Sequence, residues 1–158
     1  MSGHSATANA DLWLTHGDPE HLFLRWREQP PRYLSLFAGD VERLDLQAGR
    51  LDMTFAVGPE WGHVMGLQGG IVASMLDSVM AQCVILCSGF AYSPPTLELK
   101  VSYLEAAPPG LFSARGEIAH RGGSVVFLRS ELRDGRGRMV ATATSTSRLV
   151  VRQKDVEL

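Results

Sequence analysis

Asp77 is the one residue of its surroundings that carries a formal charge. Between Glu60 and Glu98 no other Asp, Glu, Lys or Arg occurs, with His63 taken as neutral. The stretch from Gly66 to Gly89 is the longest apolar run in the chain. A lone carboxylate is costly to bury there unless something compensates it, so Asp77 is a candidate catalytic base or nucleophile. The alternatives are a core carboxylate satisfied by its neighbours and a partner for an Arg or Lys elsewhere in the chain.

Gly69 and Gly70 precede Asp77 in the same stretch, and Gly69 stands eight residues before it. Apolar residues spaced by three or four predict a helix here. The glycine pair then falls in the first turn, where backbone N–H groups are free and the helix dipole is positive. Because glycine has no side chain in the way, the Gly69 N–H could donate to a carbonyl oxygen or an oxyanion. The alternative is that Gly69 is present only because close packing at the helix start leaves no room for a side chain.

The predicted helix is apolar almost all round, so we expect it to be buried, and Gly89 is a natural stop. Its length of roughly 20 residues would also span a bilayer. Asp77 near the middle and polar residues such as Gln82 favour instead a central helix wrapped by a sheet. Cys83 and Cys87 are expected to be buried core thiols.

A helical segment is predicted before the sheet. Residues 1–12 are expected to form a flexible tail, and residues 13–39 contain two short helical pieces. The first piece begins at the start signal Asp18-Pro19-Glu20, with an N-cap, a proline and an acid in sequence. Its side chains Leu22 and Trp26 are expected to face inward.

Alternating residues on both sides of the helix predict an antiparallel sheet. Residues 40–57 read as a hairpin, and four consecutive strands follow the helix at about 96–104, 111–120, 124–132 and 139–151. Small residues on one face of the last strand would let a helix lie close against it: Ala141, Ala143, Ser145 and Ser147. The order predicts an α+β domain over residues 40–151, with a C-terminal tail at 152–158.

Composition excludes several classes of function. The 158 residues carry a net charge of −2 with mixed signs and no basic block of the kind that binds nucleic acid. The five histidines are not spaced as zinc ligands, and no phosphate-binding glycine motif occurs. Neither a bound metal nor a nucleotide-binding fold is expected. The start lacks a basic-then-apolar leader pattern, so we expect a cytoplasmic protein without a membrane partner.

The pair Gly69-Gly70, followed by the acid Asp77 eight residues beyond its first member, matches a family motif. The chain resembles the hotdog-fold acyl-CoA thioesterases, in particular the phenylacetate-pathway and 4-hydroxybenzoyl-CoA thioesterase types. The resemblance covers about residues 40–151 and implies a hotdog fold, in which an antiparallel sheet wraps around one long helix. Further similar segments are Thr96-Leu97-Glu98-Leu99, Pro108-Pro109-Gly110, His120-Arg121-Gly122, Asp134-Gly135 and Val140-Ala141.

Two positions depart from the family motif. The family's His before the glycines is Gln68 here, and Gly62 stands where the family has Asn. A segment one residue shorter would instead place His63 at that position. Gln68 and His63 are therefore both candidates for the polar group that orients the thioester or the water. The alternative functions are a non-catalytic acyl-CoA-binding domain and a hotdog hydratase or dehydratase.

The resemblance implies that the Gly69 N–H polarises the thioester carbonyl while Asp77 attacks it or activates a water. Eight residues of helix rise about 12 Å, whereas catalytic groups must lie within about 3 Å of the reacting atoms. The two groups must then come from different chains. We therefore expect a homodimer with two sites at its interface, and the family's pairing of dimers would give a homotetramer. Coenzyme A is part of the substrate, and no separate cofactor is expected.

Other side chains are expected around this centre. Thr96 is a candidate for positioning the water, and Arg121, beside two glycines, for contacting the coenzyme A phosphates. The acyl pocket is expected to be apolar. The remaining candidate substrate-binding residues are Gly70, Met65, Leu67, Met75 and Phe90.

Overall fold

The computed structural model describes residues 17–152, so the predicted tails lie outside it except for Arg152. The helices are α1 (Pro19–Glu28) and α2 (Gly69–Cys87), with 3-10 turns at Arg32–Phe37 and Pro59–Trp61. The strands are β1 (Asp40–Asp45), β2 (Arg50–Val57), β3 (Gly62–His63), β4 (Gly66–Leu67), β5 (Tyr92–Ser93), β6 (Thr96–Tyr103), β7 (Gly110–Arg121), β8 (Val125–Asp134), β9 (Met139–Arg148) and β10 (Val150–Val151).

Six strands form one antiparallel sheet in the order β1-β2-β7-β8-β9-β6, and α2 packs against its middle strands. The predicted α+β architecture is confirmed, with β1 and β6 at the two edges. The prediction of one strand over residues 139–151 is wrong at its end. The Arg148 N–H donates to the Pro95 carbonyl and the Leu149 N–H to the Ser124 carbonyl, at 3.0 and 2.8 Å. These two bonds continue the pairing of β9 past the starts of β6 and β8, and beyond them β10 pairs with β5 in a separate two-stranded sheet.

Helix α2 is the core of the domain, as predicted. Its length and apolar composition would suit a bilayer span, but here the sheet and the N-terminal segment cover most of it. Cys83 and Cys87 are buried free thiols, and the hydrogen bond from Cys87, together with burial, raises the pKa of Cys83. The buried positions are Val72, Met75, Leu76, Ser78, Val79, Met80, Gln82, Cys83, Val84, Leu86 and Cys87.

The C-terminal end of α2 is set by Gly89. This residue has φ +59°, a left-handed conformation that glycine adopts without a side-chain penalty. Its N–H donates to the Leu86 carbonyl at 3.0 Å, and the Phe90 N–H donates to the Ile85 carbonyl at 2.8 Å. Together the two bonds form a Schellman motif, so the predicted stop is confirmed.

Close approach of α2 to the sheet depends on a glycine in β7. A Cβ at Gly116 would lie 2.7 Å from the Val79 carbonyl oxygen, closer than a side-chain atom can sit to backbone. The predicted small face of β9 also lies toward the helix, since Ala141, Ala143, Ser145 and Ser147 are all buried. The contact at Gly116 was not predicted from the sequence.

The N-terminal segment packs on α2 through a buried amide. Asp18 caps α1 by accepting from the Glu20 N–H at 3.1 Å, and Leu22 and Trp26 are buried as predicted. Trp26 Nε1 donates to Gln82 Oε1 at 2.8 Å, and Gln82 Nε2 donates to the Tyr33 hydroxyl at 3.3 Å. The polar side chain of Gln82 is thereby satisfied inside the core.

The face of the sheet away from α2 carries charged side chains. Glu117 lies between Arg129 at 2.7 Å and Arg50 at 3.2 Å. The hydrogen bond from Arg129 lowers the pKa of Glu117, and Arg50 adds to the effect, although burial opposes it. Pairs of this kind on an exposed surface each contribute about 1 kcal/mol or less to stability.

Candidate active site

Helix α2 begins at the glycine pair, and Gln68 caps it. Gln68 has extended backbone angles (φ −62°, ψ 136°), and its side-chain Oε1 accepts from the Ile71 N–H at 3.2 Å. A Cβ at Gly70 would lie only 2.7 Å from this Oε1. The glutamine side chain therefore folds over Gly70, and a side chain at position 70 would displace it. The Gln68 side-chain oxygen caps the helix, and its amide nitrogen forms no hydrogen bond with residues 17–152.

Gly69 occupies the first helical position of α2, and its N–H has no acceptor among residues 17–152. Its carbonyl oxygen accepts from the Tyr103 hydroxyl at 2.7 Å. A Cβ at Gly69 would lie 3.2 Å from that hydroxyl oxygen, so the tyrosine ring packs directly on the glycine. A free N–H at the positive end of a 19-residue helix is a donor suited to a carbonyl oxygen that gains negative charge.

The short hairpin β3–β4 carries His63 toward the start of α2. It is fixed by bonds from the Leu67 N–H to the Ala107 carbonyl at 2.7 Å and from the Gln68 N–H to the Trp61 carbonyl at 3.0 Å. The Met65 N–H donates to His63 Nδ1 at 3.2 Å. The other ring nitrogen, Nε2, forms no hydrogen bond with residues 17–152 and is available to a ligand.

A cleft of about 370 Å³ opens beside the start of α2. It brings together three of the predicted site residues, His63, Met65 and Leu67, and adds Tyr103, which was not predicted. The other lining residues are Val72, Leu104, Glu105, Ala106 and Ala107. Most of these side chains are apolar, as expected for an acyl pocket.

Four predicted binding residues do not line this cleft within the chain, and Gly70 among them lies at the start of α2. Met75 is fully buried in the core. Phe90 lies beyond the opposite end of α2, where the Arg25 guanidinium sits 4.3 Å from its ring centroid. Arg121 lies at the same end of the molecule, 5.8 Å from the ring centroid of Tyr92. Apolar or basic character alone does not show which end of α2 a side chain approaches, so the prediction includes residues from both ends.

Asp77 lies eight residues along α2, next to the first residue of β6. It is half-buried, and the Thr96 hydroxyl donates to its Oδ1 at 2.9 Å. Its second oxygen, Oδ2, has no hydrogen-bond partner in the described part of the chain. No Arg or Lys between residues 17 and 152 forms an ion pair with it. The alternative of an ion pair is therefore not seen among these residues, whereas the alternative of a carboxylate satisfied by its neighbours holds for one of the two oxygens.

The two candidate groups are separated within one chain. Because α2 is continuous from Gly69 to Cys87, the eight-residue step from Gly69 to Asp77 corresponds to about 12 Å along its axis. Strand β6 connects the two places: Thr96 at its first residue contacts Asp77, and Tyr103 at its last residue contacts Gly69. One edge strand thus holds both halves of the site, at opposite ends.

Comparison with known proteins identifies the class. The family model of the thioesterase superfamily matches residues 67–141. A curated relative, a candidate esterase of Saccharolobus solfataricus, is 30% identical over 105 residues, which are 66% of this chain and 74% of the relative.

Two solved structures share the fold. A candidate thioesterase of Ralstonia eutropha JMP134, related to phenylacetic acid degradation, has a TM-score of 0.75 and 31% identity, over 84% of this chain and all of that one. A Streptococcus mutans protein bound to acetyl-CoA has a TM-score of 0.64 and 19% identity, over 73% and 91% of the two chains.

The fold is therefore the hotdog fold. The chain belongs to the thioesterase superfamily, and the resemblance identified from the sequence is confirmed.

Proposed function

We propose that the protein hydrolyses acyl-CoA thioesters at sites formed between two copies of the chain. The observation that carries this proposal is the placement of Asp77 and Gly69 at opposite ends of the edge strand β6. Superfamily membership, the relative linked to phenylacetic acid degradation and the acetyl-CoA bound to a protein of the same fold support the substrate class.

Pairing of two β6 edges would complete the site. An edge strand presents unpaired backbone groups to a second strand. Two copies related by a twofold axis pair their β6 strands antiparallel, so the Thr96 end of one faces the Tyr103 end of the other. Asp77 of one copy then comes beside Gly69 of its partner. The exposed apolar side chains on this edge favour such pairing, since Leu97 is 62% and Tyr103 55% exposed in the single chain.

The chemistry of the site follows from the two groups. The Gly69 N–H donates to the thioester carbonyl oxygen and stabilises the negative charge that develops on it. The free oxygen of Asp77 attacks the carbonyl carbon or takes a proton from the attacking water. Thr96 holds the carboxylate in place by donating its hydroxyl hydrogen to Asp77 Oδ1. That hydrogen is therefore not free to bind the water. When Asp77 acts as base, water adds to the carbonyl carbon, the carbon–sulfur bond breaks, and the free acid forms while the leaving thiolate of coenzyme A takes up the proton held by Asp77. When Asp77 attacks, coenzyme A leaves first and a mixed anhydride with Asp77 remains, which water hydrolyses to the free acid and the regenerated carboxylate.

His63 is the better candidate for the polar group beside the thioester. It lines the cleft, and its Nε2 is not engaged by the described chain, whereas the side-chain oxygen of Gln68 is engaged by its own helix. In this assignment His63 orients the thioester or the water, a role that the family's motif gives to the residue directly before the glycines, which is Gln68 here. Met65 and Leu67 form apolar walls for the acyl group.

Thiol release from a panel of short, long and aromatic acyl-CoAs tests the function. We expect at least one of them to release coenzyme A in a reaction that depends on Asp77. Binding of acyl-CoA without release would contradict hydrolysis and favour the non-catalytic binding domain. Addition of water to an enoyl-CoA, with the thioester intact, would favour a hydratase.

Removing the Gly69 N–H is expected to lower kcat by about 10²-fold. The variant Gly69→Pro does this with little distortion, because proline suits the first helical position and the extended Gln68 before it is compatible with proline. The measurement is steady-state thiol release with the best substrate of the panel.

The matched control is Gly69→Ala. It places the same Cβ 3.2 Å from the Tyr103 hydroxyl but keeps the N–H, so we expect only a few-fold loss of kcat. Equal losses in the two variants would assign the effect to crowding and remove the Gly69 N–H from the proposal.

A further inference from the structure

We infer that Tyr103 is a positioning residue, whose hydroxyl fixes the peptide between Gly69 and Gly70 and thereby aims the donors at the start of α2. This inference rests on the proposed function and deepens it. The motif that identifies the superfamily gives no role to this tyrosine. The structure places its hydroxyl 2.7 Å from the Gly69 carbonyl oxygen, 34 residues away in the chain.

Side chains restrain the glycine pair in addition to the backbone of α2. The Ser74 hydroxyl donates to the Gly70 carbonyl at 2.8 Å. Glycine has the greatest backbone freedom of any residue, and two of them stand in succession at the point where a donor must be aimed. Gln68 restrains Ile71, the residue after the glycine pair, because its Oε1 accepts from the Ile71 N–H. Among residues 17–152, Tyr103 is the one side chain that donates to the Gly69 carbonyl. Its ring also packs on the glycine, where a Cβ would lie 3.2 Å from the hydroxyl oxygen.

The same hydrogen bond strengthens a second donor. The Gly69 carbonyl and the Gly70 N–H belong to one peptide unit. A hydrogen bond accepted by the carbonyl polarises that unit and makes its N–H a better donor, as in any chain of hydrogen bonds. Tyr103 therefore acts on the Gly70 N–H electronically and on the Gly69 N–H by orientation.

Tyr103 is itself held rigidly at the end of β6. It pairs with Ala141 of β9, and the following Leu104 N–H donates to the Val140 carbonyl at 2.9 Å. The tyrosine thus connects the helix start to the sheet edge at which the partner would deliver Asp77. It also lines the cleft. A fixed edge, a fixed ring and one hydrogen bond set where the donors point relative to the carboxylate.

The variant Tyr103→Phe tests this role, since it keeps the ring and removes only the hydroxyl. We expect kcat to fall about tenfold, with KM changed less than about twofold, because the bond acts on the donors that meet the developing charge. A raised KM with unchanged kcat would make Tyr103 only a wall of the acyl pocket and overturn the inference. Unchanged kcat and KM would overturn it as well.

The matched control is Tyr33→Phe, which removes another tyrosine hydroxyl that contacts α2, through Gln82 and outside the cleft. We expect its kcat to equal that of the wild type. An equal loss in both variants would indicate a general loosening of α2 and contradict a specific role for Tyr103.

A spectroscopic measurement separates this inference from the proposed function. In the ¹⁵N-labelled protein, the amide signals of Gly69 and Gly70 are expected to move in Tyr103→Phe and to stay in place in Tyr33→Phe. Amide signals that do not move would overturn the inference whatever the activity. A third outcome combines a shift of these amide signals in Tyr103→Phe with a wild-type protein that hydrolyses no acyl-CoA. That outcome would overturn the proposed function and leave the positioning role supported.

Discussion

Replacing Asp77 with Asn is expected to lower kcat for thioester hydrolysis by about 10³-fold or more, the loss typical of a missing base or nucleophile. Asparagine keeps the shape of the side chain and an oxygen that can accept from Thr96, the one hydrogen bond of this carboxylate with the described chain. The amide can neither attack a carbonyl at a useful rate nor take a proton from water. The measurement is single-substrate thiol release, with circular dichroism to check the fold.

The Asp77→Asn prediction has a matched control in Asp45. That carboxylate also accepts one hydrogen bond through Oδ1, from the Ala48 N–H at 2.9 Å, but it lies at the last residue of β1, just before the turn to β2. Asp45→Asn is expected to retain wild-type kcat. Because Asp77 is only half-buried and its bond to Thr96 survives, we expect the free energy of unfolding to change by less than about 1 kcal/mol. Full activity in a folded Asp77→Asn protein would remove Asp77 from the mechanism.

The features that could be predicted from the sequence are those with a local pattern. The buried helix followed from its apolar spacing, and its stop from Gly89. Asp77 was identifiable because no other formal charge lies near it in the chain, and the strand order followed from alternation and turn residues. In each case the cause is a pattern within one continuous stretch of the chain.

The features that could not be predicted are contacts between distant residues. Tyr103 donates to a backbone oxygen 34 residues away, and Gly116 in β7 is required by a carbonyl of α2. Neither leaves a periodic signal. In the alternation of β6, Tyr103 reads as one more apolar position in the series of Leu97, Leu99 and Val101.

The role of Gln68, which replaces the family's His, could not be predicted from the sequence either. From the sequence, Gln68 and His63 are equal candidates for the polar group of the site. In the structure the Gln68 oxygen caps its own helix and His63 lines the cleft, which is the reason that the proposed function favours His63. The contact of Gly70 with that cap is likewise seen only in the structure. A capping role depends on where the side chain folds, which the order of residues does not specify.

Heterodimers of Asp77→Asn and Gly69→Pro chains are expected to recover about half of the wild-type activity, although each homodimer is nearly inactive. In the proposed arrangement, each site takes Asp77 from one chain and Gly69 from the other. A dimer with one variant of each kind has one site with both changes and one intact site. Co-expression with two different affinity tags isolates this heterodimer, and its thiol release is compared with that of both parents.

The reciprocal heterodimer distinguishes this arrangement from a site within one chain. It pairs a wild-type chain with a chain that carries both Asp77→Asn and Gly69→Pro, so the two dimers contain the same substitutions in different positions. If each site takes Asp77 from one chain and Gly69 from the other, both sites of this dimer carry one of the two substitutions. We then expect almost no activity. Sites within one chain would reverse the results, with about half of the activity in this dimer and none in the other. Because folding defects would affect both heterodimers equally, the contrast between them reports only which chain supplies each group.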